Sequence, residues 1–341
     1  MYKIIISCVV CVCFLLTGCG AESKLKGEYT KLVEDTQDDL IPVLNLNDLI
    51  DKPSYEECLI SDEIVNYSKN KWNTEQMGFN NPSGILCREE DVIIADKGND
   101  CLFVYDYEGN LINQIGDIGS GPLEFLAPTG LTSYMDKIYV IDSGNNRIQI
   151  LTQNFEYIDE VQVLNENDTT ITYENIAVGK KGEIYLCGDS LMSRSIDKYE
   201  NNKLVRIEEN FYGSIFGENG QTYAINRGNV CVNPDELEMT VASGKNYLFK
   251  IVEDELKVVS ELPEGLGINS FVIKNDKLFC SSNTLAKIFA FTMNGEYEET
   301  IADFKDLQHN MDLRNYMAIN SNGDLLFSNP ETGEIFNIVR N

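Results

Sequence analysis

From Val92 to Asp96, and again from Ile138 to Asp142, the chain runs through short β-branched and aromatic segments, each closed by a polar turn. The turns read Asp96-Lys-Gly-Asn and Asp142-Ser-Gly-Asn-Asn, and a second apolar run starts at Cys101 in the first case and Arg147 in the second. Gly and Asn accept positive φ, and an Asp side chain accepts hydrogen bonds from the amides just beyond it. Each pair is therefore predicted to be a β-hairpin. A third run, Leu111 to Ile115, follows the turn at Glu108-Gly109-Asn110, and a short one precedes each hairpin around Ile85 or Leu131. Four short antiparallel strands make one unit.

The unit repeats. Pro82 and Pro128, Gly84 and Gly130, Asp96 and Asp142, Gly98 and Gly144, and Asn99 and Asn145 all match at a constant offset of 46 residues. The same offset carries Asp136 and Tyr139 onto Gly182 and Tyr185, and comparable segments recur at Glu238-Met-Thr-Val-Ala-Ser, Asp276-Lys-Leu-Phe-Cys-Ser and Gly323-Asp-Leu-Leu-Phe-Ser, which makes six units. The Gly- and aromatic-rich stretch from Asn210 to Asn229 breaks the spacing and is expected to be a long loop between the third and fourth units. Repeats of this length built from four strands describe an all-β, six-bladed β-propeller; a linear β-solenoid, the competing array, has shorter coils. The last unit ends after its third strand, Glu334-Ile-Phe-Asn-Ile-Val, which would leave an edge unpaired. An N-terminal strand is expected to close the ring, with Cys58 to Val65 as the donor. The propeller then covers residues 56–341.

The start of the chain follows another pattern. Lys3 precedes an apolar run of 13 residues, Ile4 to Leu16, followed by Thr17-Gly18-Cys19. That run is too short to span a hydrocarbon layer of about 30 Å and reads as a signal-peptide core, residues 1–18. Leu16-Thr-Gly-Cys19 resembles the bacterial lipobox, which implies that Cys19 is lipidated and becomes the first residue of the mature chain. The expected location is extracytoplasmic, with contact to the membrane through the acyl anchor only. Residues 19–55 are charged and lack the repeat, as expected of a solvated tether.

Charge narrows the partners. With 27 Lys and Arg against 55 Asp and Glu, the formal charge is −28, which opposes binding to nucleic acid. Of the 10 cysteines, Cys8, Cys11 and Cys13 lie in the signal and Cys19 is the anchor. Cys58, Cys87, Cys101, Cys187, Cys231 and Cys280 form no Cys-x-x-Cys pair and are scattered over the units, so they read as small buried hydrophobes. The catalytic inventory is thin. His309 is the one histidine, which rules out a two-histidine metal site. Gly116-Asp-Ile-Gly-Ser-Gly121-Pro lacks the Lys-Ser/Thr ending of a phosphate loop. Asp96 and Asp142 could begin a ring of metal-binding carboxylates, but their equivalents are Gly188, Ser282 and Ser328, and a turn-fixing role suits them better. No catalytic residue, metal ligand or cofactor is assigned.

Gly119-Ser-Gly-Pro-Leu-Glu-Phe125 through Pro128-Thr-Gly130, followed by Ile138-Tyr-Val-Ile-Asp142-Ser-Gly-Asn-Asn-Arg147-Ile-Gln-Ile150, resembles an NHL repeat, the unit of a family of six-bladed propellers. The match is close in the second unit, good from Pro82 to Gly116, and faint in the other four. With the lipobox, the chain is similar to bacterial propeller lipoproteins of this type. The resemblance implies a fold and a surface location, without a catalytic residue set. Two functions follow as expectations. One is a non-catalytic binding or scaffold module for an extracytoplasmic peptide, glycan or protein. The other is a metal-assisted lyase or hydrolase at the central channel. For the binder, the loops between units are the expected contact region, with Trp72, Phe125, Tyr173, Tyr223, Arg227, His309 and Arg314 as candidate ligand-binding residues.

Overall fold

The computed structural model describes residues 64, 66–72, 78–163, 171–189, 194–209, 211–226, 229–233, 238–242, 246–263, 266–282, 285–304, 315–330 and 332–341. Strands Pro82–Cys87, Val92–Asp96, Cys101–Tyr105 and Leu111–Ile115 form the first four-stranded antiparallel blade. Pro128–Tyr134, Lys137–Asp142, Arg147–Thr152 and Tyr157–Gln162 form the second; Thr172–Val178, Ile184–Asp189, Arg194–Glu200 and Lys203–Glu209 the third. The fourth is Gly213–Glu218, Gln221–Asn226, Asn246–Val252 and Glu255–Leu262; the fifth is Ile268–Lys274, Lys277–Ser282, Lys287–Thr292 and Tyr297–Asp303. The sixth contains Tyr316–Ile319, Leu325–Asn329 and Glu334–Arg340, with Tyr67–Lys71 added at its outer edge. The first strands of successive blades abut one another, and that of the sixth abuts that of the first. The chain is thus a six-bladed β-propeller.

Burial explains why the strands read as they do. Val92–Asp96 and Cys101–Tyr105 are buried along their whole length, whereas the outer strand Leu111–Ile115 is exposed. Central strands are covered on both faces by the neighbouring blades, so their sequences are continuously apolar rather than alternating. The core accordingly lies between blades. Ile93, Ala95 and Leu102 pack on Phe125, Ile138 and Leu151 across the first interface. Phe304 stacks on Phe327, with ring centroids 4.6 Å apart, across the fifth. Gly84 and Gly130 sit where inner strands nearly touch: a β-carbon on Gly84 would lie 2.2 Å from the Thr129 carbonyl oxygen, and one on Gly130 2.6 Å from that of Glu174. The repeated Pro-x-Gly is the steric signature of the ring centre.

Two expectations shift. The closing strand is Tyr67–Lys71, paired in register from Tyr67 with Arg340 to Lys71 with Phe336, and extended by the Trp72 amide donating to the Ile335 carbonyl at 2.9 Å. Residues 58–63 and 65, in the segment expected to do this, lie outside the described residues. In the fourth blade, the stretch read as a loop forms the hairpin Gly213–Glu218 with Gln221–Asn226, and Glu238–Ala242 belongs instead to a separate two-stranded hairpin with Asn229–Asn233. The insertion therefore lies inside the fourth blade, between its second and third strands. Both segments have strand-forming sequences. The choice between them is made at long range, where Tyr223 to Ile225 pair with Leu248 to Lys250. Among the described residues no helix is long and apolar enough to cross a membrane.

Candidate functional site

The two Asp turns come first, because they were the candidate metal carboxylates. Asp96 Oδ2 accepts the Asn80 amide at 2.8 Å, and Oδ1 accepts the amides of Gly98 and Asn99, each at 3.2 Å. Burial pushes its carboxyl above the usual carboxylate range, against the pull of these hydrogen bonds. Asp142 Oδ1 accepts the Leu126 amide at 2.7 Å, and Oδ2 accepts Arg147 Nε at 2.8 Å and Asn145 Nδ2 at 2.9 Å. Arg147 also donates to Glu160 Oε2 at 2.6 Å and to the carbonyls of Ser120, Gly121 and Glu124 at 2.7–2.9 Å. Burial works against its charge, but the hydrogen bond to Asp142 and the two carboxylates outweigh it and raise its pKa. The Ser120 and Gly121 amides, which a phosphate loop would aim at an anion, donate to Glu124 Oε2 at 2.9 and 2.7 Å. Both Asp carboxylates are therefore structural clamps.

Later blades solve the same turn differently. In the third, Gly188 replaces the Asp, and a buried carboxylate stands on the next strand. Asp197 accepts from Tyr173 Oη and Ser195 Oγ, each at 2.7 Å, and from Arg206 Nε at 2.6 Å. In the fifth, Ser282 Oγ accepts the Leu285 amide at 3.1 Å and donates to the Leu266 carbonyl. Among the described residues no group of three or more His, Cys, Asp or Glu side chains is placed to hold a metal ion.

The candidate loop aromatics go to packing. Trp72 is 5 % exposed, and its ring lies 5.6 Å from that of Tyr105 between the sixth and first blades. Phe125 is fully buried between the first two blades, and Tyr173 is buried in the inner strand of the third. Tyr223 stands on a strand, half-buried, with Oη donating to Gln221 Oε1 at 2.7 Å and the Lys250 ammonium 5.8 Å from its ring. Arg227, His309, Arg314 and Cys19 lie outside the residues whose side chains are described. Cys87, Cys101, Cys187 and Cys280 are free thiols, and burial pushes the pKa of Cys87 and Cys101 up to about 12.

What the ring does create is a central cavity of about 660 Å³ lined by all six inner strands. Leu86, Leu131, Phe216, Phe271, Met317 and Ile319 supply apolar wall; Glu174, Asn175, Ser214 and Ser270 are polar points within it. Phe216 and Phe271 meet edge to face with centroids 5.9 Å apart. The cavity reaches the turns that join first to second strands, where Met135, Asp136, Glu218, Asn219 and Lys274 border it, with Lys274 Nζ 3.8 Å from Glu218 Oε1. Apart from Asp136, which served only to set the repeat register, these positions were not singled out in the sequence. The Met135-Asp136 turn, lacking the Asn or Gly usual between paired strands, was the one local signal available.

A family model described as a 6-bladed beta-propeller matches residues 72–231. No curated protein sequence matches the chain. Solved structures share the architecture at low identity. Virginiamycin B lyase from Staphylococcus aureus superposes with a TM-score of 0.52 at 12 % identity, covering 80 % of this chain and 99 % of that one. A catalytically inactive His-to-Ala variant of the same lyase with quinupristin gives 0.53 at 13 % identity, over 80 % and 99 %. A Bacteroides fragilis protein described as exported gives 0.51 at 12 %, over 83 % and 98 %. At such identities the likeness concerns the fold.

Proposed function

We propose that this six-bladed β-propeller is a non-catalytic binding module, held outside the cytoplasm by an acyl anchor at Cys19 and a tether over residues 19–55, that recognises a peptide, glycan or protein partner at the mouth of its channel. The observation carrying the reading is the channel wall: aliphatic and aromatic side chains surround separated polar groups, an arrangement suited to enclosing a ligand. The acidic residues first in line to hold a cation are engaged elsewhere, since Asp142 is paired with Arg147 and the Asp96 oxygens accept hydrogen bonds from backbone amides and Asn99. The alternative is a metal-assisted lyase or hydrolase at the channel. It draws on the propeller likeness to virginiamycin B lyase, whose named inactive variant lacks one histidine; this chain has a single histidine, His309, to offer.

The test is a peptide and glycan array probed with the full chain in a membrane mimetic. Saturable binding with the ligand recovered at unchanged mass is expected; a cleaved or eliminated product would establish the enzyme instead. For the anchor, Cys19→Ala should yield unprocessed precursor or released protein on membrane fractionation. A mature-length, fully retained variant would refute lipidation.

A further inference from the structure

The turn Met135-Asp136 connects Tyr134 to Lys137, which pair with each other, so two residues close the hairpin. Both have positive φ, 47° and 60°. That is the type I′ geometry, which favours Asn, Asp and Gly because other side chains crowd the backbone there. The equivalent turns of the fourth and fifth blades follow the preference with Asn219-Gly220 and Asn275-Asp276. The second blade instead places a methionine in the strained position, and its side chain is 75 % exposed at the cavity edge. A strained backbone that holds a large apolar side chain out in water stabilises neither the turn nor the core, and such outliers concentrate at binding sites.

Behind Met135 lies the apolar wall of Leu86, Leu131, Phe216 and Phe271. Around it the charge is uneven. The inner turns carry both signs, including Lys180, Lys274, Asp136 and Glu218. In each of the first five blades the turn joining third to fourth strands falls at the same end as the first-to-second turn. These outer turns, 106–110, 152–156, 200–203, 253–255 and 293–296, together carry eight Asp or Glu against one Lys, Lys203, with most of the charge in Asp106, Glu108 and Glu253-Asp254-Glu255. Lys198 pairs with Glu200 and Asp254, and Lys257 with Glu255, which leaves a net negative rim.

We propose that this mouth is a socket for a cationic peptide bearing one large apolar side chain, which enters the channel beneath Met135 while its flanking Lys or Arg residues face the acidic outer turns. The proposal rests on the binding-module reading and names its ligand class. Methionine suits the lip because its unbranched thioether fits side chains of different shape. The acidic turns speed and orient the approach of a basic chain.

The probes are three capped peptides, Lys-Lys-Phe-Lys-Lys, Lys-Lys-Gly-Lys-Lys and Glu-Glu-Phe-Glu-Glu, titrated by calorimetry into the full chain in a membrane mimetic. The first is expected to bind saturably, the second about tenfold or more weakly because no apolar surface is buried, and the third not at all. Met135→Asn, which suits positive φ, should weaken the first peptide about threefold or more while the melting temperature holds or rises. Glu253→Gln, in the most acidic of the outer turns, should flatten the salt dependence of binding. Equal affinity for the Phe and Gly peptides, preference for the acidic peptide, or unchanged affinity in Met135→Asn would overturn the socket. If none of the three peptides binds while the array finds a glycan or an uncharged ligand, the socket falls and the binding module stands. An empty array removes both.

Discussion

Asp96 and Asp142 occupy the same register position 46 residues apart, are both completely buried, and close turns of nearly the same sequence, yet they are held in different ways. Around Asp96 the partners are neutral: three backbone amides and the Asn99 side chain. Around Asp142 there is a cation, Arg147, and through it Glu160 and three carbonyls of the crossover loop between the first two blades. The first arrangement fixes a turn and holds to it Asn80, just before the first strand. The second also docks a loop, because a guanidinium has donors to spare after satisfying one carboxylate. Ser282 marks the other extreme, performing the turn-fixing task with a single hydroxyl.

The largest expected effect in breaking this comparison is at Arg147. Removing it by Arg147→Ala would leave Asp142 buried without its cation and three carbonyls without donors, which should cost about 3–5 kcal/mol, read as a fall in the denaturant midpoint. A loss below about 1 kcal/mol would mean that the crossover loop is held by packing alone.

Next comes Asp96→Asn, which keeps the shape but replaces one acceptor oxygen with a donor, at an expected cost of about 1–2 kcal/mol at neutral pH. The comparison sharpens with pH. Burial raises the Asp96 carboxyl in the folded state, so the fold binds its proton more tightly than the unfolded chain does. The stability associated with that proton is fully present below the unfolded value, about pH 4, and is lost as pH rises through the higher folded value. The wild type should therefore gain on Asp96→Asn as pH falls from neutrality through that window, measured by paired urea titrations. A gap that widens on acidification in the opposite sense would contradict the role of burial. The smallest effect is expected for Ser282→Ala, about 1 kcal/mol, since one hydrogen-bonding group is lost and the turn amide of Leu285 is left without it.

The same pair shows how far the sequence could be read. Where Asp, Gly and Asn fall in fixed positions, as in the first two blades, the turn is a local event and its residues announce it. The array, the four-strand unit and the closure by an N-terminal strand all followed from that register. In the fourth blade the register failed. Gln221–Asn226 and Glu238–Ala242 are equally plausible strands, and pairing with Asn246–Val252 selects the first. The candidate site was less legible. An aromatic between units, such as Trp72 or Phe125, is equally compatible with a loop surface and with an interblade core, and burial against neighbouring blades decided for the core.

The sequence alone determined what is periodic and local: blade number, the hairpin turns of the first two blades, the matched positions of Gly84 and Gly130, and the charge of −28. The tertiary structure decided what depends on residues far apart in the chain: that Tyr67–Lys71 completes the sixth blade, that Arg147 binds the crossover loop, and that Leu131, Phe216 and Phe271 face one cavity. The physical reason is separation. A turn is fixed by dihedral preference and hydrogen bonds within a few residues, whereas an edge, a clamp or a channel exists only once the ring has closed.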